Sequence, residues 1–148
     1  MRAGDLATPF PIVGAATMAV EAARLLAEQN LPGLIVVDDR GRLETILAGT
    51  QVLRMAVPRY CQDDSALARM VDEAAADVFL QDLGGRTVAE VLPEQPRELA
   101  VVDPEATVLE VAALMARTRM PLVAVVSGDG SRAGAVTLDV LLDRLVAG

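Results

Sequence analysis

Histidine and tryptophan are absent from this sequence, and cysteine occurs once, at position 61. Without histidine there is no imidazole to act as general base, proton shuttle or transition-metal ligand. A lone cysteine forms no internal disulfide, and Cys61 has no imidazole partner to activate it as a nucleophile. Aromatic residues make up only 2% of the chain, two Phe and one Tyr. Positive charge is scarce as well: 13 Lys and Arg against 21 Asp and Glu leave a net charge of −8. Proteins that displace counterions from a phosphate backbone concentrate cations instead, so nucleic acid is excluded as the main partner. The uncharged stretch from Ala7 to Val20 contains Pro9 and Pro11 and is too short to span a bilayer, and no basic amphipathic stretch suits an anionic membrane surface. Arg2 and Asp5 stand close together with no apolar block behind them, so no signal peptide and a cytoplasmic location are expected.

What is present is a globular composition. The 148 residues suffice to bury a core, and with 53% of them hydrophobic that core must be built from Ala, Val and Leu. One stretch also occurs twice. Laying Pro32 on Pro121 brings Glu21 onto Glu110, Ala23 onto Ala112, Leu25 onto Leu114, Val36 onto Val125 and Gly41 onto Gly130, without a gap. Each copy reads as helix, strand, turn, strand and helix, a unit that buries its apolar face by packing on its repeat.

In the first copy, Ile12 and Val13 begin an extended segment. Helical spacing then predicts a helix over Ala19–Gln29 capped by Thr17, with Glu21, Arg24 and Glu28 on a polar stripe and Val20, Ala23, Leu26 and Ala27 opposite. Pro32-Gly33 breaks it, and the apolar run Leu34–Val37 predicts a strand buried on both faces. A turn at Asp38–Gly41 leads to a strand, Leu43–Leu47, and a closing helix, Gln51–Val57, stopped at Pro58. In the second copy Leu99–Val102 is a strand, and Thr107 caps a helix with Val111, Leu114 and Met115 inward. Leu122–Val126 and Ala133–Thr137 are strands, and Leu138–Val146 is the last helix. Residues 59–85 have no counterpart. There Asp63 or Asp64 can cap a helix with Leu67, Met70, Val71, Ala74 and Val78 on one face and Arg69, Asp72, Glu73 and Asp77 on the other, ended by Gly84-Gly85. This inserted helix links the halves and is a candidate dimer surface.

TPFPIV before a helix, EAARLL and EVAALM within helices, LPGLIVVDDRG and MPLVAVVSGDG as break, strand and turn, and GAVTLDVLLDRL at the end together resemble a tandem pair of CBS domains, the cystathionine β-synthase type of regulatory module. The resemblance covers nearly everything outside residues 59–85. It implies an α/β (α+β) fold of two pseudo-twofold-related β-α-β-β-α units, 1–58 and 86–148, with the linker helix 59–85 inserted between them. It also implies a sensor and not an enzyme. Such pairs bind AMP, ADP, ATP or S-adenosylmethionine in clefts between the units, often associate as homodimers, and here would modulate an effector protein in trans.

The family's ligand pattern ends the second strand with Gly, two apolar residues, Ser or Thr, any two residues, and an Asp that grips the ribose. In the second unit Gly134, Ala135, Val136 and Thr137 match, while the ribose position is Val140 and Asp139 stands one residue early, about 100° away around a helix of 3.6 residues per turn. In the first unit Thr45 stands at the Gly position, Ala48 at the hydroxyl position and Gln51 at the Asp position, where its amide can still hydrogen-bond a ribose hydroxyl. The backbone after each break, Pro32, Gly33 and Leu34 and again Pro121 to Val123, can read a purine edge. The implied ligand residues are therefore Pro32, Gly33, Leu34 and Gln51 in the first unit and Met120, Pro121, Leu122, Thr137 and Asp139 in the second.

Other polar groups carry less. Arg117, Arg119 and Arg132 could together receive phosphates, but helix-end arginines more often complement the helix dipole. Asp38-Asp39 and Asp63-Asp64 have no third ligand at metal spacing, and no glycine cluster precedes Lys-Ser or Lys-Thr as a phosphate loop requires. No metal site is expected. The alternative left open by the departures from the ribose pattern is an assembly subunit that binds no ligand.

Overall fold

The structure, a computed structural model, describes residues 1–57, 59–70 and 73–147, the side chains of 73, 75, 76, 79 and 80 excepted. The expected stop at Pro58 and the expected faces of Val71, Asp72 and Glu73 lie outside the described residues. The elements run α1 Ala3–Leu6, β1 Ile12–Gly14, α2 Ala19–Glu28, β2 Gly33–Val37, β3 Leu43–Ala48 and α3 Gly49–Ala56. They continue as α4 Arg59–Asp63, α5 Ser65–Met70, α6 Glu73–Leu83, α7 Val88–Val91, β4 Val101–Val102, α8 Val108–Thr118, β5 Leu122–Val126, β6 Arg132–Thr137 and α9 Leu138–Val146.

Two compact units result: Ile12–Arg97, here the medial unit, and Met1–Pro11 with Glu98–Gly148, here the terminal unit. Main-chain bonds explain this grouping. Ala3 N–H donates to Ala106 O and Gly4 N–H to Pro104 O, both at 2.8 Å, and Thr8 and Ala135 exchange bonds at 3.0 Å, which ties the first residues into the terminal unit. In the medial unit Val88 N–H donates to Thr17 O at 2.8 Å, Ala89 N–H to Ala15 O at 3.0 Å and Ala19 N–H to Arg86 O at 2.9 Å, which ties in the stretch ahead of the second repeat.

Each unit is built on a three-stranded sheet, β1-β2-β3 or β4-β5-β6, whose first pair is parallel and second antiparallel. In the medial unit Val13, Leu34, Val36 and Leu47 meet Ala19, Ala22 and Leu26 of α2 and Val52 of α3 in one core. In the terminal unit Val123, Val125 and Val136 meet Val111 and Met115 of α8 and Leu141 of α9, with Ala3 and Leu6 of α1 closing the cluster. Each fully buried Val or Leu contributes about 1.5–3 kcal/mol of transfer free energy. β2 is buried on both faces, as its unbroken apolar run predicts.

Two expectations about α2 are corrected. Thr17 does not cap α2: its hydroxyl accepts from Gly14 N–H at 3.1 Å, and Met18 occupies the cap position. The helix accordingly buries Ala19, Ala22 and Leu26 with Ala23 half-buried, leaving Val20 and Ala27 outside. Within 59–85 a short α4 precedes the expected helix; Asp64 caps α5 as expected, its carboxylate accepting from Ala66 N–H at 2.9 Å, and α6 ends at Leu83, just ahead of Gly84-Gly85. Leu67, Met70, Ala74 and Val78 are exposed in the unit. Thr107 does cap α8, accepting from Glu110 N–H at 3.1 Å.

Candidate functional site

The medial-unit candidates gather where β2 begins and β3 passes into α3. Gly33 pairs with Ala48 and Leu34 with Leu47 across the ladder. A Cβ on Gly33 would stand 2.7 Å from Ile46 Cδ1, so the glycine answers a close side-chain approach. Leu34 is fully buried and has only its main chain to offer a ligand. Gln51, in the first turn of α3, accepts from Ala48 N–H through Oε1 at 2.6 Å, which leaves its amide N–H₂ group to donate outward.

In the terminal unit the same junction brings Met120, Pro121, Leu122, Thr137 and Asp139 together. Leu122 pairs with Thr137, and Leu138 N–H donates to Pro121 O at 2.8 Å. Met120 and Leu122 are buried, and Thr137 nearly so. The Thr137 hydroxyl hydrogen-bonds the Asp139 carboxylate and, with backbone N–H groups of 139 and 140, outweighs desolvation to hold that carboxyl below its usual range.

Two cavities border these clusters, one inside each unit. Gln51 lines a cavity of about 400 Å³ together with Arg54 and Met55 of α3 and residues Val91, Leu92, Pro93 and Glu94 following α7. The stretch is held there because α7 packs on α2 and α3 and carries a capping box, in which the Thr87 N–H donates to the Glu90 carboxylate at 3.4 Å. In the terminal unit Met120 and Pro121 line a groove of about 310 Å³ between α8 and α9, with Leu138, Leu142 and Leu145 on its wall and Arg119 as its charged group.

The three arginines considered for phosphates do not converge. Arg119 lies ahead of the first residue of β5, while Arg132 pairs with Val126 at its last, about 13 Å further along at strand rise. Asp38 spends Oδ1 on the N–H groups of Arg40 and Arg42, both at 2.9 Å, and Asp64 caps α5, so both acidic pairs serve local backbone. Among the described residues no group of His, Cys, Asp or Glu could hold a metal ion, and Cys61 is buried. Among them, too, no helix is long and apolar enough to cross a membrane. Arg54 and the stretch Val91–Glu94 were not legible as site residues, since nothing in their spacing ties them to Gln51; only the fold brings them there.

The CBS-domain family profile matches residues 3–49 and 88–147, which takes in most of both repeats and leaves out α3, past its first residue, to α6. The chain belongs to the CBS-domain family. A CBS domain-containing protein from Kribbella flavida is 50% identical, with 99% of each chain covered and a TM-score of 0.84. Fold likeness extends to CBSX2 in complex with AMP, at 22% identity, 99% and 96% coverage and a TM-score of 0.66. It extends also to the cytosolic domain of the Mg²⁺ channel MgtE in complex with ATP, at 24% identity, 97% and 48% coverage and a TM-score of 0.62. No curated protein sequence matches the chain significantly. With two copies of the motif in one chain, the protein is a tandem CBS pair, and its α/β architecture is that of the pair.

Proposed function

We propose that this CBS pair is a regulatory module that binds an adenosine-containing ligand and passes its state to a partner protein in trans. The observation that carries the reading is the medial-unit cavity: Gln51, at the family's ribose position, lines a space of about 400 Å³ with both polar and apolar walls, which suits a small organic ligand. Relatives of the same fold whose structures contain AMP or ATP support the choice of ligand class. The mechanism is a population shift, in which the ligand favours one conformation of the pair and the partner reads the difference, a coupling of about 1–3 kcal/mol in typical cases. Catalysis is no part of this reading, because no nucleophile with a base and no metal cluster stands among the described residues.

The test is a thermal-shift and calorimetric screen against AMP, ADP, ATP and S-adenosylmethionine, since a ligand of the native state raises apparent stability by mass action. A saturable shift with one of them is the expected result, and no response at millimolar concentration counts against it. The ligand-free assembly subunit is the second reading. It is favoured by Val140 at the terminal unit's ribose position. Either reading includes a homodimer, supported by the exposed apolar side chains of Leu138, Leu142 and Leu145 on α9 and of Leu67, Met70 and Val78 in α5 and α6. Sedimentation of a monomer at all accessible concentrations would remove it.

A further inference from the structure

We infer that residues 1–8 dock on and release from the terminal unit as one piece while both cores stay folded, so that the fold carries a strap with two states. Neither state needs a ligand.

The strap has a twin that shows how it is held. α1 and α7 are both helices of 4 residues with a capping box, closed by Arg2 N–H on Asp5 at 2.8 Å and by Thr87 N–H on Glu90 at 3.4 Å. Their seats correspond as well. Ala3 and Gly4 donate to Ala106 O and Pro104 O, and Val88 and Ala89 donate to Thr17 O and Ala15 O. Thr17 and Ala15 are the repeat counterparts of Ala106 and Pro104 when Pro32 is laid on Pro121. The main-chain hold is therefore the same, and what differs is the apolar anchor. α7 buries Val88 and Val91, with Leu92 partly buried after them, whereas α1 buries Ala3 and Leu6, with Ala7 partly buried after them. Less buried carbon holds the strap than holds its twin.

Nothing else makes up the difference. A helix of 4 residues with Gly4 inside it does not persist undocked. Beyond α1 the strap meets β6 at a single residue pair, Thr8 with Ala135, and Pro9 and Pro11 have no N–H to extend the ladder. Arg2 on Glu105 O at 3.3 Å and Arg144 on Met1 Sδ at 3.0 Å are exposed contacts, in which water replaces the partner on release. A segment held in this way opens below the free energy of global unfolding.

Release changes how the units are joined. With the strap docked, the chain passes from the terminal to the medial unit at Pro11-Ile12 and back at Arg97-Glu98. With the strap free, the second passage alone connects them. The β6 edge at Ala135, two residues ahead of Thr137, is uncovered at the same time. A molecule that binds one of the two states better than the other shifts the balance toward it.

The experiment is native-state hydrogen exchange of the unliganded protein, read residue by residue by NMR, with Leu6→Ala and the double variant Thr8→Cys/Ala135→Cys beside wild type. In wild type the amides of Ala3, Gly4, Thr8 and Ala135 should share one protection factor, about a hundred-fold below that of Val88 and Ala89. Leu6→Ala should lower the shared value by a further factor of about ten and leave Val88 and Ala89 unchanged. Thr8 and Ala135 form a hydrogen-bonded antiparallel pair, with Cα atoms about 5.5 Å apart in such pairs and so within reach of a disulfide. The oxidised double variant should protect the strap amides as well as those of α7, and reduction should reverse this. Should substitution at buried Ala135 disturb β6, wild type and Leu6→Ala decide alone. If strap and α7 amides are equally protected in wild type, or if Leu6→Ala lowers both sets together, the strap opens only with the whole molecule and the two-state strap is overturned. Strap amides that differ among themselves by as much as they differ from α7 would overturn release as one piece.

Discussion

The two units meet the same packing problem at corresponding positions and solve it differently. In the terminal unit the chain near Thr8 crosses β6 so closely that a Cβ at residue 134 would collide with the Thr8 carbonyl, and residue 134 is a glycine with φ +119°. In the medial unit the corresponding residue is Thr45, 1% exposed, whose hydroxyl donates to Arg97 O. Arg97 is the counterpart of Thr8 when the repeats are aligned on Pro32 and Pro121. One unit joins its segment through backbone alone, with the Thr8 and Ala135 pair exchanging two bonds; the other uses a buried side chain. The glycine that opens the family's ligand pattern is thus fixed in this protein by backbone contact, whatever a ligand does nearby.

Substitutions that exchange the two solutions should break the comparison most severely. Gly134→Thr places a β-branched side chain at a left-handed φ and against the Thr8 carbonyl; we expect a loss of about 3 kcal/mol or more, read as a lowered urea midpoint. Thr45→Val keeps the shape but leaves Arg97 O without its buried donor, for an expected loss of about 1–3 kcal/mol by the same measurement. Thr107→Ala, which removes the α8 cap, should cost about 1 kcal/mol in thermal or urea unfolding. The smallest effect is on protonation. Thr137→Val removes the main hydrogen bond holding the Asp139 carboxyl below its ordinary value of 3.8, so its titration midpoint, followed by carboxyl NMR, should rise toward 3.8. Because the folded-state value is depressed, the associated stability is present above 3.8 and fades as pH falls through the lower folded value. The valine variant should therefore lose less stability than wild type over that acid range.

The repeat made most of the fold legible. Leu122–Val126 and Leu138–Val146 appear with the bounds read from the sequence, because a break at Pro121 and an unbroken apolar run leave little choice. The exchange of leading segments was not legible, since it depends on main-chain bonds such as Ala3 N–H to Ala106 O that no side-chain pattern encodes. At residues 59–85 periodicity placed Leu67, Met70 and Val78 on helix, while the separate α4 ahead of them carried no signal of its own. Of the site, Gln51 was found through its position in the motif, whereas Arg54 and Glu94 come from distant stretches joined only by the packing of α7.

The placement of the first eleven residues has a consequence for synthesis on the ribosome. The medial unit, Ile12–Arg97, is contiguous in the chain and can close as soon as Arg97 has emerged. The terminal unit must wait for the last helix, and α1 must then find partners a hundred residues downstream, the slowest kind of contact to form. Folding should thus proceed in order, from the middle of the sequence outward, with Ala3 and Leu6 left exposed to water until the end, as the interval in which the nascent protein is most open to chaperones and proteases.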